Sequence, residues 1–191
     1  MSGDRGRRFG FRELLLFAFL SADGSMMAGE ALGLASGVEL PRLEGNTLTG
    51  EALALPRDAL GRPAILVIGF SKAAAKTSRG WLEGCRSAAA AKSSSAVGCY
   101  DVRMLAEVPR FFRGMVERSM RNGYPLDLQR QTLLVYSESD AWREHARGID
   151  DKMSYVIACD RDGRVRGTAA GAFAEAEMKR LLEVIEPGRD P

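Results

Sequence analysis

Ala64-Ile65-Leu66-Val67-Ile68-Gly69-Phe70 is the stretch that decides the fold of this chain. Six of its seven residues are apolar and the other is glycine, with no alternation between apolar and polar positions. Such an uninterrupted apolar run is typical of a strand that is buried on both faces, at the centre of a sheet covered by helices. The sequence therefore predicts an α/β domain in which a helix follows Phe70.

The residues that follow this strand are where chemistry is expected, because the amide groups and dipole of a helix start favour an anion or a thiolate. Here the window reads Ala75-Lys76-Thr77-Ser78 and contains no thiol. A phosphate-binding loop is a second candidate, since Phe70 to Thr77 follows a buried strand and ends in Lys-Thr. Phe70 and Ala75 occupy the two positions where such a loop needs glycine, which argues against nucleotide hydrolysis.

Composition limits the classes of function. The chain has 191 residues, of which 46% are hydrophobic and 27% charged, as expected for one globular domain of about 150 residues with an N-terminal extension. A net charge of +2 is too small to indicate a nucleic-acid partner. The three cysteines have no zinc spacing, and one histidine, His145, leaves no His-based triad. We predict no metal, no cofactor and no catalytic residue.

Residues 1–37 are predicted to be a targeting segment or a disordered tail. Arginines precede the apolar run Leu14–Leu20, and small residues follow it, as in an export signal. Asp23 and Glu30 fit such a signal poorly, so a transit peptide or a misassigned start, with Met26 or Met27 as the true one, stays open. The run is too short to span a membrane, which takes about 20 apolar residues. We expect an exported, periplasmic or extracytoplasmic protein, with a mitochondrial or cytoplasmic location as the alternatives.

The rest of the chain divides into further strands and helices. Alternating pieces at Thr47-Leu48-Thr49 and Ala52-Leu53-Ala54-Leu55-Pro56 predict an edge strand or hairpin before the central strand. After it, Trp81 and Cys85 share one helical stripe, which makes Cys85 a core residue rather than a reactive thiol. The later elements are predicted in this order: a strand at Ala96–Val102, a helix at Pro109–Asn122, a strand at Gln131–Tyr136, a short helix at Asp140–Arg147, a strand at Ser154–Cys159, a tight turn at Asp162-Gly163, a strand at Arg164–Ala169 and a helix from about Phe173 to Pro187.

The helix at Pro109–Asn122 carries the candidate docking surface. Apolar residues recur on it at helical spacing, and we expect that stripe to face the sheet; it consists of Phe112, Met115 or Val116, and Ser119 or Met120. The opposite face is either ordinary solvated surface or a docking surface for an acidic partner or anionic lipid headgroups. We predict a docking surface made of Arg110, Phe111, Arg113, Arg118 and Arg121.

The order of the elements resembles the thioredoxin-like superfamily, in the enlarged form of peroxiredoxin-like proteins, over Glu39 to Glu186. The most specific motifs of this resemblance are Ala64-Ile-Leu-Val-Ile-Gly-Phe-Ser before the first helix and Tyr155-Val-Ile-Ala-Cys-Asp-Arg-Asp-Gly-Arg-Val-Arg before the last. The resemblance implies an α/β, thioredoxin-like three-layer sandwich with a mixed central sheet flanked by helices. This domain would cover residues 38–187, with a tail at 188–191.

The redox site of that superfamily is missing from this sequence. An active thioredoxin has a Cys-x-x-Cys pair where Ala75, Lys76, Thr77 and Ser78 stand, and a cis-proline where the chain reads Lys152-Met153-Ser154. A peroxiredoxin needs a thiolate at the same helix start. We therefore predict a degenerate redox site. The alternative is an atypical thiol oxidoreductase or peroxidase that uses Cys85, Cys99 or Cys159.

Within the superfamily, the sequence is similar to the thioredoxin-like assembly factors of mitochondrial ATP synthase and their bacterial look-alikes. The matching positions are Val67-Ile-Gly-Phe-Ser, Trp81, Pro109-Arg-Phe-Phe-Arg-Gly-Met-Val, Pro125, Tyr155 to Arg166, and Gly171. This likeness implies a protein-binding or assembly role. The expected partner is a protein, such as a membrane-complex subunit, with peripheral membrane contact.

Overall fold

The computed structural model describes residues 31–91, 97–137, 140–146 and 149–185. The strands are β1 (Leu43–Thr47), β2 (Ala52–Leu55), β3 (Ala64–Gly69), β4 (Gly98–Met104), β5 (Thr132–Val135), β6 (Ser154–Cys159) and β7 (Val165–Ala170). The helices are α1 (Ala74–Ala91), α2 (Arg110–Gly123), α3 (Leu126–Gln129), α4 (Asp140–His145) and α5 (Glu175–Ile185). None of the helices in these ranges is long and apolar enough to cross a membrane.

The seven strands form one mixed sheet in the order β2-β1-β5-β4-β3-β6-β7. β3 pairs parallel with β4 and antiparallel with β6, so that Ile65 lies between Cys99 and Ala158. All six residues of β3 are buried. The prediction of a central strand covered on both faces is therefore confirmed.

Two apolar cores lie on opposite faces of the sheet. On one face, Ile65 and Val67 pack with residues of α1 and α5, including Trp81. On the other face, Leu66 packs in a cluster that includes Trp142 of α4, whose Nε1 donates to the Pro41 carbonyl at 3.0 Å. This arrangement confirms the predicted three-layer sandwich.

The side chain of Phe173, just before α5, packs against α1, and we refer to this contact as the Phe173 wedge. The ring of Phe173 meets Trp81 edge to face at 5.4 Å, and Trp81 Nε1 donates to the Gly171 carbonyl at 3.0 Å. A β-carbon at Gly84 would lie 2.3 Å from the Phe173 ring, and one at Gly80 would also come too close, at 2.9 Å. The two glycines that weaken α1 as an isolated helix thus make room for Phe173.

We expect Gly84→Val to lower the free energy of unfolding by about 1–3 kcal/mol, because the added side chain overpacks the Phe173 wedge. Urea denaturation followed by circular dichroism measures the loss. Gly114→Val is the matched control, since nothing lies within 4 Å of a β-carbon at Gly114 in α2, and it should change stability by about 0.5 kcal/mol or less. Equal effects of the two substitutions would contradict the wedge.

Several predicted boundaries need correction. The first strand of the hairpin is Leu43–Thr47 rather than Thr47–Thr49, because residues 48–50 form the turn. Thr47 Oγ1, at the end of the strand, holds this turn: it lies 2.8 Å from Thr49 Oγ1 and accepts from the Glu51 amide at 3.1 Å. The hairpin joins the sheet through β1, which pairs with β5. Helix α3 is not among the predicted elements.

Other predictions agree with the structure to within a few residues. The tight turn before β7 is confirmed, since Gly163 has a φ of +75° and Asp160 Oδ1 accepts from the amides of Asp162 and Arg164. The predicted segment up to residue 30, the end of the short helix at Arg147, and the helix stop at Pro187 lie outside the described residues.

Candidate functional site

The start of α1 is capped by a side chain of its own segment. Ser71 Oγ accepts from the Ala73 amide at 3.1 Å and, more weakly, from the Ala74 amide at 3.4 Å. The same hydroxyl donates to the Asp151 carbonyl at 2.7 Å. These bonds satisfy amides that a helix start otherwise offers to an anion.

Three hydroxyl groups converge just inside this helix start, and we refer to Thr77, Ser78 and Ser154 as the hydroxyl cluster. Ser154 Oγ, at the first position of β6, lies 2.6 Å from Thr77 Oγ1 and 2.8 Å from Ser78 Oγ. Each of the three hydroxyl oxygens also lies 2.9 to 3.0 Å from the Ala74 carbonyl oxygen, and the three hydroxyl protons are shared among these contacts. Ser78 and Ser154 are fully buried. The hydroxyl cluster therefore fastens β6 to the helix.

The chemistry of the hydroxyl cluster is that of a structural contact. A serine or threonine hydroxyl becomes a nucleophile only when a neighbouring base takes its proton. The one histidine of the chain, His145, is hydrogen-bonded instead to the Leu32 carbonyl at 2.9 Å, and it packs against Trp142 in the other layer. The hydroxyls thus face each other and a carbonyl.

Only two of the four residues predicted as a degenerate redox site belong to the hydroxyl cluster. Thr77 and Ser78 belong to the hydroxyl cluster, whereas Ala75 is only half-buried and Lys76 is exposed. Ser154 completes the cluster, and sequence reasoning noted it only as part of the segment that lacks a proline. A serine at the start of a buried strand, facing two hydroxyl residues at a helix start, is the signal that could have found it.

Two of the three cysteines form a disulfide. Cys85 of α1 is bonded to Cys99 of β4 with a Cα–Cα distance of 6.1 Å, and both residues are buried. Cys85 lies about 16 Å along the helix from Ala74, at about 1.5 Å per residue. The prediction that Cys85 belongs to the core is confirmed, and its sulfur is far from the helix start.

The third cysteine, Cys159, is a free thiol in the core on the opposite face of the sheet. Burial raises the pKa of this thiol to about 12. Because the thiolate is the reactive form of cysteine, Cys159 is poorly suited to thiol chemistry near neutral pH.

A buried ionic cluster lies beneath the helix start. Arg103 Nε and Nη2 donate to Asp101 Oδ2 at 3.0 and 2.8 Å, and the Tyr124 hydroxyl donates to the same oxygen at 2.9 Å. A β-carbon at Gly69 would lie 2.7 Å from Arg103 Nη1 and 3.3 Å from Ala74 Cβ, so the absence of a side chain at Gly69 lets the guanidinium pass close to α1.

The electrostatics of this Asp101–Arg103–Tyr124 cluster follow from its burial. Desolvation raises the pKa of the Asp101 carboxyl, against the opposing attraction of Arg103, and it also raises the pKa of Tyr124 to about 12, so that the phenol stays a donor. Asp101 Oδ1 and Arg103 Nη1 are buried without a hydrogen-bond partner among the described residues. Sequence reasoning missed this cluster, although two charged residues inside an otherwise buried strand are an available signal.

Helix α2 does not pack as predicted. All of α2 is described, and none of its side chains is fully buried. Its half-buried face consists of Arg113, Val116, Glu117 and Met120. Val116 and Met120 turn inward as one reading of the spacing predicted, but the prediction is wrong for Phe112 and Met115, which are exposed.

Polar contacts explain this orientation. The Arg113 guanidinium lies 4.3 Å from the centre of the Tyr136 ring, and the Tyr136 hydroxyl donates to Glu117 Oε1 at 2.9 Å. Arg121 Nε donates to the Leu48 carbonyl at 2.7 Å. These contacts bring the charged side of α2 inward and leave apolar side chains outside.

The predicted docking surface therefore separates into two groups. Arg113 and Arg121 are engaged within the protein. Arg110, Phe111 and Arg118 remain on the outside, and Phe111 is 79% exposed. The exposed part of the predicted docking surface therefore consists of two arginines and one phenylalanine.

Comparisons with known proteins bear on the fold. No protein-family model and no curated protein sequence matches the chain. Among solved structures, it is similar to a thiol:disulfide interchange protein DsbE from Chlorobium tepidum, with a TM-score of 0.55 and 16% identity over 80% of this chain and 96% of that one. It is also similar to a secreted thiol-disulfide isomerase from Corynebacterium glutamicum, with a TM-score of 0.52 and 16% identity over 90% of this chain and 96% of that one.

A third similar structure is that of BsSco, a member of the Sco family of cytochrome c oxidase assembly proteins. The TM-score is 0.53 at 11% identity, covering 78% of this chain and 94% of that one. At such identities the likeness establishes the fold alone. The chain has the thioredoxin-like α/β fold of these thiol-disulfide proteins.

Proposed function

We propose that this chain is a redox-silent thioredoxin-like protein that acts by binding other proteins, as an assembly factor at a membrane complex. The observation that carries the proposal is the hydroxyl cluster. In the predicted alignment Ala75 and Ser78 stand where a thiol-active thioredoxin carries its two cysteines, and Ser154 Oγ lies within hydrogen-bonding distance of the hydroxyls of Ser78 and Thr77. A helix start that has hydroxyls and no thiol supports a fold that is kept for binding rather than for disulfide exchange.

The cysteines support the same proposal. Exchange requires a thiolate to reach a disulfide sulfur in line, and both sulfurs of the Cys85–Cys99 bond are buried between helix and sheet. A buried disulfide that joins two elements is typical of structural bonds formed in oxidising compartments. Together with the secreted isomerase among the similar structures, this favours a location outside the cytoplasm.

The assembly role rests on two likenesses. The positions that match ATP synthase assembly factors include Trp81 and Gly171, and Trp81 Nε1 donates a hydrogen bond to the Gly171 carbonyl in this structure. One structurally similar protein belongs to the Sco family of cytochrome c oxidase assembly proteins. We propose that this chain likewise binds subunits of a membrane complex.

The experiment is an insulin-reduction and hydroperoxide-reduction assay with the purified full chain. We expect no turnover above background, while an active thiol:disulfide oxidoreductase measured in parallel gives a clear rate. Replacing Cys85 and Cys99 together by alanine should lower the free energy of unfolding by about 3 kcal/mol, because the crosslink that constrains the unfolded chain is lost. Cys159→Ala should leave the assays unchanged as well.

The opposite result would favour the alternative function. The Cys85–Cys99 bond is the observation on which a thiol-disulfide activity could rest. Robust turnover that disappears in Cys85→Ala or Cys99→Ala, in protein that circular dichroism finds folded, would replace the binding proposal by an atypical oxidoreductase.

A further inference from the structure

We propose that the outward face of α2 binds the surface of an anionic lipid bilayer. The proposal rests on the proposed function only in placing the protein at a membrane. The outward face is defined by Arg110, Phe111, Phe112, Met115 and Arg118.

The apolar part of this face is unusually open to solvent. Phe111 is 79% exposed, and Met115, one helical turn further on, is 62% exposed. Phe112 is 45% exposed and lies against Phe111, with 4.3 Å between the ring centres. Large apolar side chains grouped in this way mark an interaction site on a soluble domain more often than scattered single ones do.

The charged part of the face is positive and unoccupied. Arg110 and Arg118 form no hydrogen bond or ion pair with any residue in the described ranges. The one acidic residue of α2, Glu117, is turned inward and bound to Tyr136 and Arg121. The outer arginines are therefore available to an external anion, and the planar guanidinium group is well suited to phosphate.

A bilayer fits this combination better than a protein does. Stable protein interfaces bury about 800 Å² per partner, whereas three apolar side chains supply at most about 150–250 Å² each. A second copy of the chain would place Arg110 and Arg118 opposite like charges. In a bilayer interface, phenylalanine and methionine enter the acyl boundary, while arginine stems extend to the headgroups.

The shape of the attachment agrees with this. α2 is held to the domain by the stacked pair Arg113–Tyr136 and by hydrogen bonds. Its outward face, from Arg110 to Arg118, is a ridge about 12 Å long, at about 1.5 Å per residue. A ridge of this length can lie flat on a surface. A flat, negatively charged surface with an apolar layer beneath it would match this face. An anionic phospholipid bilayer has these properties.

The test is co-sedimentation of the full chain with phosphatidylcholine vesicles, with and without about 30 mol% phosphatidylglycerol. We expect the apparent partition coefficient to be at least about tenfold higher on the anionic vesicles and to fall between about 50 and 500 mM salt as screening increases. Phe111→Ser with Met115→Ser should lower it about tenfold or more on anionic vesicles. Arg110→Glu with Arg118→Glu should remove the preference for anionic lipid.

Matched controls lie on other exposed positions. Leu60→Ser with Val184→Ser removes two exposed apolar side chains elsewhere, and Arg161→Glu with Lys179→Glu reverses two exposed charges away from α2. Both pairs should leave vesicle binding within about twofold of the unchanged protein. Circular dichroism checks that every variant folds.

A local reporter makes the result specific to α2. The two native tryptophans, Trp81 and Trp142, are buried, so Phe111→Trp adds the exposed fluorophore. Its emission should shift to shorter wavelength on anionic vesicles and be quenched by brominated acyl chains.

Three results would overturn the inference. They are no preference for anionic vesicles, undiminished binding by the α2 variants, and an emission from position 111 that does not respond to lipid. Association into dimers that is lost in the Phe111→Ser, Met115→Ser variant would identify a second copy as the occupant instead. Each of these is distinguishable from thiol turnover, which tests the proposed function separately.

Discussion

Arg103→Met is expected to lower the free energy of unfolding by about 3–5 kcal/mol, a loss comparable to the whole stability of many domains. The substitution removes the only charged partner of Asp101 in the cluster, a carboxylate that is fully buried and accepts all its hydrogen bonds through Oδ2 from Arg103 and Tyr124. An unpaired carboxylate at this depth has neither water nor a cation to stabilise it. Urea denaturation followed by tryptophan fluorescence measures the effect.

The control for this prediction is the double replacement Asp101→Leu with Arg103→Met. Removing both charges together leaves no ion to desolvate, and apolar residues of similar size can replace a buried ion pair at little cost. We expect the double variant to recover most of the stability lost in Arg103→Met. If the double variant were as unstable as the single one, packing rather than charge would account for the loss.

Val67→Asp is expected to abolish cooperative folding altogether. Val67 is fully buried in β3, and its register partner in β4 is Asp101, so the new carboxylate would enter a dry core beside an existing one. Circular dichroism should show no thermal transition.

Two control substitutions show whether the effect of Val67→Asp comes from the added charge, from the change in side-chain volume or from the burial of the position. Val67→Ala removes side-chain volume without adding charge, so it should keep the fold at a loss of about 2–3 kcal/mol. Lys76→Ala, on the exposed start of α1, should change stability by about 0.5 kcal/mol or less. A folded Val67→Asp protein would mean that water reaches the central strand.

The sequence was sufficient wherever a local pattern determines the outcome. The apolar run of β3 is buried on both faces because no polar side chain interrupts it. The turn at Asp162-Gly163 forms because glycine accepts a positive φ and Asp160 caps the amides that follow. These features depend on neighbours in the chain, which the sequence displays directly.

The sequence was insufficient where distant residues decide. The orientation of α2 depends on Tyr136 and Leu48, which lie on other segments and hold Arg113 and Arg121 inward. Helical periodicity alone predicts that the apolar stripe is the buried one. It contains no information about the Tyr136 ring, which belongs to another segment and contacts Arg113.

The same limit applies to the site. The pairing of Cys85 with Cys99 and the approach of Ser154 to Thr77 both require the register of β3 with β4 and β6. A thioredoxin-like pattern predicts which segments are neighbours, but not which side chains fill the space between them. The absence of a Cys-x-x-Cys pair was therefore visible in the sequence, while the contact of Ser154 with Thr77 and Ser78 was not.

The polar attachment of α2 has an evolutionary consequence. Because none of its side chains is fully buried, and all of α2 is described, substitutions on its outward face require no compensating change in either core. Positions such as Phe111 and Met115 can therefore diverge rapidly between species, or be redesigned in the laboratory, while Arg113, Glu117 and Tyr136 keep the helix in place. The composition of this ridge can therefore change by drift while the domain beneath it stays the same.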